Sequence, residues 1–428
     1  MEAADIVDVG GRLHRFMGEF QECFGRREPA EHAERYVRGQ QLNLPRKSLE
    51  PMADEAGINS RSLQKFLAQH CWDDELLRAR VQQKVMRDHA HPQAIAIVDE
   101  SSFLKKGNKT PGVKRQHCGS TGHVDNCVVT THLAYATPDG FHALLSSALF
   151  LPEDWSQDRV RCREAGIPED LVHRTKWQIA LELHEEAVRN GVRLAWLTAD
   201  SFYGRPVEFH LELSRRGQCY VVEVPCDFWG WGRKPDLLHK AHHRQAGRRL
   251  KRKNPSLTKV ENLAAHSPAF RKQPWTVFLI KDGEKGPVVW EAKAAPFYIK
   301  DKEGLPTRAH VLIVARHVQC PGEVKYLVSN AAVNTPLTTL LAVAFARGHV
   351  ERCFQDMKTE LGMNHFEVRN YTSLRRHLTL SAVSLLFLSE THATFKKNAG
   401  VDALPGPNGG QCLPAHPKPA ARRASPAA

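Results

Sequence analysis

Apolar residues recur at helical spacing along the N-terminal stretch, in Leu13, Phe16, Met17 and Phe20 and again in Leu76, Leu77, Val81 and Val85. Residues three and four apart share one face of a helix, so the pattern predicts an all-α segment from Val9 to about Ala90. Within it, KSLEPMADEAGINSRSLQKFLAQ holds two short amphipathic stretches on either side of Ala56-Gly57-Ile58-Asn59, with Ser60 placed to cap the second. The spacing suits a helix-turn-helix. Ala53 and Gly57 would let the helices approach, Ile58, Leu63 and Phe66 would form a small core, and Arg61, Gln64 and Lys65 would face DNA. Small helical hairpins of this kind also serve packing alone.

After Pro92 the texture changes. AIAIVDE (94–100), CVVTTHLAYA (127–136), HALLSSALFL (142–151), LAWLTAD (194–200) and QCYVVEV (218–224) read as strands, with helices over Trp177–Val188 and Val207–Leu213. This is an α/β layout with the length for a mixed five-stranded sheet, and Asp99 and Asp200 are expected to close two of its apolar strands. Short strands then follow, WTVFLI, VVWEAKA, PFYIK, HVLIVARH and VKYLVSN, separated by Gly, Pro and Asp turns, which predicts a β-rich insertion. From Thr335 the chain turns helical again. The expected organisation is therefore 1–90 all-α, 91–224 first part of an α/β core, 225–334 β insertion, 335–395 helical completion of the core, and 396–428 a Pro-, Gly- and Ala-rich tail without the composition for a packed core.

A length of 428 residues agrees with two or three domains. Sixty Lys and Arg against 47 Asp and Glu give a net charge of +13, which points to a polyanionic partner, although solubility alone also produces basic chains. The charge concentrates at the entry to the insertion, where Arg248, Arg249, Lys251, Arg252 and Lys253 follow Arg233, Lys234, Lys240 and Arg244 among several histidines. A solvated loop is the plain reading, but this density favours phosphate contact. The ten cysteines lack any C-x-x-C spacing and the opening MEAADIVDVG lacks a secretory pattern, so reduced thiols in a cytoplasmic protein are expected. The longest apolar run, Leu378 to Leu388, is interrupted by Thr379, Ser381 and Ser384 and is too short to span a bilayer.

Two aspartates at the ends of buried strands and a glutamate on a later helix form the carboxylate set that phosphodiester chemistry needs. Hard oxygens hold paired Mg2+ ions, with Mn2+ as a substitute, and these activate the attacking oxygen and stabilise the leaving one. Asp99, Asp200 and Glu351 are the candidates. An isolated Asp more often caps a turn. Arg347, Glu351 and Lys358 recur at i, i+4 and i+11 and so share a helix face, putting a ligand beside two cations suited to phosphates; an Arg–Glu pair within the helix is the simpler alternative. His117, Cys118, His123 and Cys127 offer zinc-type donors but match no usual finger spacing, and Cys353 lacks a clear base for nucleophilic work.

The chain resembles the bacterial insertion-sequence transposases of the DDE, RNase H-like class that carry a β insertion between the second Asp and the Glu. The matching stretches are AIAIVDESSFLKKG around Asp99, QHCGSTGHVDNC, HLAYATPDG, LTADSFYG around Asp200, and ARGHVERCFQDMKTELGMNHFEVR around Glu351. The family's Tyr, Arg, Glu, Lys signature maps onto Arg347, Glu351 and Lys358, whereas its Tyr position is Ala344, and Gly348 stands where an aromatic is usual. The resemblance implies an RNase H-like core and catalytic and metal-binding roles for Asp99, Asp200 and Glu351. It implies double-stranded DNA as partner, both transposon ends and target, with the N-terminal helices recognising ends and the basic insertion contacting them; Trp229 and Trp231 would stack near an unpaired base, with ordinary packing the equal alternative. It also implies a homodimer in the synaptic complex, working in the bacterial cytoplasm at the nucleoid. A catalytically impaired, transposase-derived DNA-binding protein and a metal-dependent nuclease without strand transfer are the alternatives.

Overall fold

A computed structural model of the chain describes residues 9–236, 255–283 and 286–398, without the side chains of 281–283, 349–352 and 396–398. Arg248, Arg249, Lys251, Arg252 and Lys253 lie outside the described residues, as do the expected tail beyond residue 398 and the side chain of Glu351. Two compact units are present, one running to Pro225 and resuming at Val343, the other comprising Cys226–Ala342.

The first unit begins with the expected helices, Val9–Gly18, Arg27–Gln41, Leu49–Glu55, Ser60–Ala68 and Asp74–His89. The cap of the fourth is Asn59 rather than Ser60. Asn59 keeps an extended backbone and its side chain accepts from the Arg61 N–H, while Ser60 is already helical. Gly57 turns the hairpin with φ +63°, a conformation that costs glycine little. Leu63 and Phe66 are buried as expected and Leu67 joins them, whereas Ile58 is only half-buried.

These helices pack on the long helix Tyr371–Asn398 through buried polar bonds. Tyr36 Oη meets His377 Nδ1 at 2.7 Å, Gln40 donates to Ser381 Oγ at 3.0 Å, and Ser384 donates to Gln40 Oε1 at 2.6 Å. Arg376 donates to the carbonyls of Phe66, Leu67 and Trp72, tying the end of the fourth helix to the same element. Leu374, Leu378, Leu380, Val383, Leu385, Leu386 and Phe387 are all buried. A helix apolar on every side is a central core helix. Among the described residues no helix is long and apolar enough to cross a membrane.

The strands of this unit are β1 (Ile95–Leu104), β2 (Lys114–Cys118), β3 (His123–Ala136), β4 (His142–Leu149), β5 (Trp196–Ala199) and β6 (Tyr220–Val224). Their order is β4-β3-β1-β5-β6, antiparallel from β4 to β1 and parallel from β1 to β6, with β2 extending the hairpin against the start of β3. This is the mixed five-stranded, RNase H-like core. Parallel neighbours need crossovers, supplied by the helices Lys176–Arg189 before β5 and Val207–Arg215 after it.

The second unit is an antiparallel sheet of β7 (Trp229–Trp231), β8 (Thr258–Lys259), β9 (Thr276–Gly283), β10 (Gly286–Ile299), β11 (His310–His317) and β12 (Val324–Ser329). β10 joins what the sequence suggested were two strands, VVWEAKA and PFYIK, by running through Pro296. Pro296 is tolerated because on that edge β9 has ended opposite Ala292 and β7 begins only opposite Tyr298, so no neighbour requires its missing N–H. Trp231 is buried in this unit and Trp229 is half exposed.

Candidate active site

Asp200 directly follows β5, as expected, but Asp99 lies in the middle of β1. β1 and β5 pair in parallel as far as Val98 and Ala199, whereas β1 continues against β3 to Leu104. The end that matters is therefore the neighbour's: Asp99 is the first residue of β1 left without β5 beside it. Asp99 and Asp200 follow the last parallel pair on adjacent strands, which lie about 4.8 Å apart.

Asp200 caps the short helix Ser201–Gly204, its Oδ1 accepting from the N–H groups of Phe202 and Tyr203 at 3.0 and 3.3 Å. Those bonds fix the carboxyl's orientation. Asp99 Oδ1 accepts from the Glu100 N–H at 2.8 Å. Burial pushes the Asp99 carboxyl up to about 6; Arg347 and the Glu100 N–H pull it down, and the charges of Asp200 and Glu100 push it up again. Burial therefore outweighs the cation beside this carboxyl.

The helix Arg347–Thr359 lies over this face, and the shared face read from the sequence brings both of its described cations to Asp99. Arg347 Nη2 stands 3.8 Å from Asp99 Oδ2 and its Nη1 stands 3.7 Å from Glu223 Oε2. Burial lowers the Lys358 ammonium, and the nearby Asp99 charge opposes that shift. Glu351 belongs to the same helix. Cys353 is fully buried, which drives its thiol pKa up and suits packing rather than nucleophilic chemistry.

The helix is seated by a histidine that the sequence did not single out. His132, the strand partner of Asp99, is fully buried, bonds Thr130 Oγ1 and Ser147 Oγ at 2.7 Å each, and meets the Phe354 ring at 4.9 Å. Burial, reinforced by Lys358, drops its pKa to about 3, so it packs as a neutral ring. Glu100 takes an ion pair from Lys176 Nζ at 2.7 Å, and that ammonium also stands 4.6 Å from the ring centre of Phe202.

The structure thus brings together Asp99, Asp200, Arg347 and Lys358. Arg61 and Lys65 are exposed on the Ser60–Ala68 helix. His117 and His123 are also exposed, whereas Cys118 and Cys127 are buried. Glu223 was missed, and its signal was present: it is the one charged residue in the apolar strand YVVEV. Among the described residues no three His, Cys, Asp or Glu side chains group closely enough to hold a metal ion. Asp99 and Asp200 present two neighbouring carboxyl groups on this face.

The family described as DDE superfamily endonuclease matches residues 19–287, a span that includes Asp99 and Asp200 and ends before Arg347. A curated protein of Microchaete diplosiphon, described as a probable transposase for insertion sequence element IS701, is 32% identical over 163 residues, 38% of this chain. The matched region spans 40% of that relative's length. With more than half of its residues inside the family match, the chain belongs to the DDE superfamily endonuclease family.

Proposed function

We propose that this chain is a DNA transposase that binds the terminal inverted repeats of its element, cleaves the ends and joins the freed 3′ hydroxyls to target DNA. The observation that carries the reading is the pairing of Asp99 with Asp200 past the last parallel β1–β5 contact, under two cations from one helix.

The donor set fits a hard divalent cation. Both groups offer carboxylate oxygen, Asp99 is pushed toward protonation by burial and by its neighbours' charges, and Asp200 is held by two backbone donors. Asp99 and Asp200 would hold Mg2+, with Glu351 as the third ligand, and Mn2+ is the natural substitute. When bound, a pair of such ions supplies activation of the attacking oxygen, water first and then the 3′ hydroxyl, and stabilisation of the leaving oxygen.

The chain's own residues do the rest. Arg347 and Lys358 hold phosphates of the cleaved strand, and His132 with Phe354 keeps their helix on the sheet. Arg61 and Lys65 contact the end DNA from the helical hairpin, and the basic stretch with Arg248, Arg249, Lys251, Arg252 and Lys253 neutralises its backbone. Two ends require two active sites, which gives a homodimer in the synaptic complex. A strand-joining assay with duplexes carrying the DNA that borders the coding sequence, run in Mg2+, tests this. Wild-type protein should nick and join these duplexes; normal joining by Asp200→Ala would overturn the assignment.

A further inference from the structure

The row of acidic residues does not end at Asp200. β5 and β6 pair in parallel through Ala199 and Val222, so Glu223 follows that pair on β6 just as Asp200 does on β5. Asp99, Asp200 and Glu223 therefore occupy one level across three neighbouring strands. Arg347 reaches the outer two, standing 3.8 Å from Asp99 and 3.7 Å from Glu223. We propose that Glu223 is a positioning residue that keeps Arg347 aimed at the substrate phosphate once Asp99 is engaged by a divalent cation. The inference rests on reading this site as DNA-cleaving.

Both contacts are ion pairs longer than a hydrogen bond, so the guanidinium is shared between two anions rather than locked to either. A dication at Asp99 would take up that carboxylate's charge and repel the guanidinium. Glu223 is then the anion that retains it. Glu223 stands two strand spacings from Asp99, about 10 Å along the sheet, and does not group with Asp99 and Asp200 into a three-carboxylate site. That argues for a hold on Arg347 rather than on metal. Its backbone is also well placed for precision: Gly204, at the end of the helix that Asp200 caps, abuts the Glu223 carbonyl so closely that any side chain at 204 would collide with it.

The test compares wild type, Glu223→Ala, Glu223→Asp, Arg347→Ala and the Arg347→Ala/Glu223→Ala double variant. The readouts are cleavage of the bordering-DNA duplex in Mg2+, Mn2+ affinity by calorimetry, and thermal unfolding. Glu223→Ala should lower kcat about tenfold, about 1.4 kcal/mol in barrier, with KM little changed. Its Mn2+ affinity should stay at the wild-type value, Glu223→Asp should recover much of the rate, and the double variant should be no slower than Arg347→Ala. Multiplying losses, or weaker Mn2+ binding by Glu223→Ala, would overturn the inference. So would wild-type cleavage by Glu223→Ala, which leaves the reading of the site standing. Absence of cleavage by the wild-type protein would overturn that reading and the inference with it.

Discussion

Asp99 and Asp200 follow the last backbone pair between two parallel strands, Val98 with Ala199, and so face the same opening in the sheet. Burial, and to a lesser degree the Asp200 charge, disfavour the ionised Asp99 carboxylate, and a cation joining the two aspartates would offset both. The relationship makes metal binding a matter of stability as well as activity. Asp99→Asn and Asp200→Asn should abolish DNA cleavage, yet in the presence of a chelator Asp99→Asn should melt no lower than wild type, because it removes a charge that burial disfavours. Mg2+ should raise the Tm of the wild-type protein and leave both variants unmoved. A Tm response to Mg2+ retained in Asp200→Asn would place the cation elsewhere.

Gly204 should resist substitution. A methyl group there meets the Glu223 carbonyl and the Val222 side chain, so Gly204→Ala forces β6 away from the helix that Asp200 caps. The cost should be about 1–3 kcal/mol or more, with loss of activity, measurable by urea unfolding. A fully stable Gly204→Ala protein would show that this contact is looser than described.

Phe354 should matter for catalysis although its side chain is buried. Its ring is buried against His132 and seats the helix that carries Arg347 and Lys358. Phe354→Ala should cost about 3–5 kcal/mol. Phe354→Leu, which keeps most of the volume, should fold but cleave more slowly. Equal rates for Phe354→Leu and wild type would detach the helix's seating from its function.

Acid should unfold the protein through buried histidines. His210 and His377 are fully buried, and burial lowers both to about 4, against about 6.5 in an unfolded chain. Above about pH 6.5 neither state holds the extra proton and stability is unaffected by these groups. As pH falls from about 6.5 to about 4 the unfolded chain takes up protons that the folded one refuses, so stability is lost, on the order of 3 kcal/mol for each histidine. Urea midpoints measured between neutral pH and about pH 4.5 should fall, and His377→Gln should flatten the decline. A midpoint independent of pH over that range would contradict this.

Much of the fold could be read from the chain, because apolar runs such as AIAIV and LAWLTA and the helical spacing around Leu13 and Leu77 report burial directly. What stayed hidden was register. No local pattern tells that β5 stops beside Val98, so the apolar run AIAIV predicts a strand end at Asp99 where it is the partner strand that ends. Register also decides that Glu223 joins the acidic row, although a lone charge in YVVEV hinted at a site. His132 escaped notice for the opposite reason: a histidine in an apolar strand looks like packing, which it is, but packing that seats the helix carrying Arg347. Arg347 and Lys358 were legible because their helical spacing is a local property.

The most direct test of the central claim, that Asp99 and Asp200 together hold the catalytic cation, is a change of metal preference in Asp200→Cys. A thiolate binds Mg2+ poorly and accepts softer Mn2+ more readily. The variant should therefore fail to cleave the bordering-DNA duplex in Mg2+ and regain cleavage in Mn2+, while wild type works in both. Equal cleavage by Asp200→Cys in Mg2+ and Mn2+, at the wild-type rate, would contradict a role for Asp200 in holding the metal.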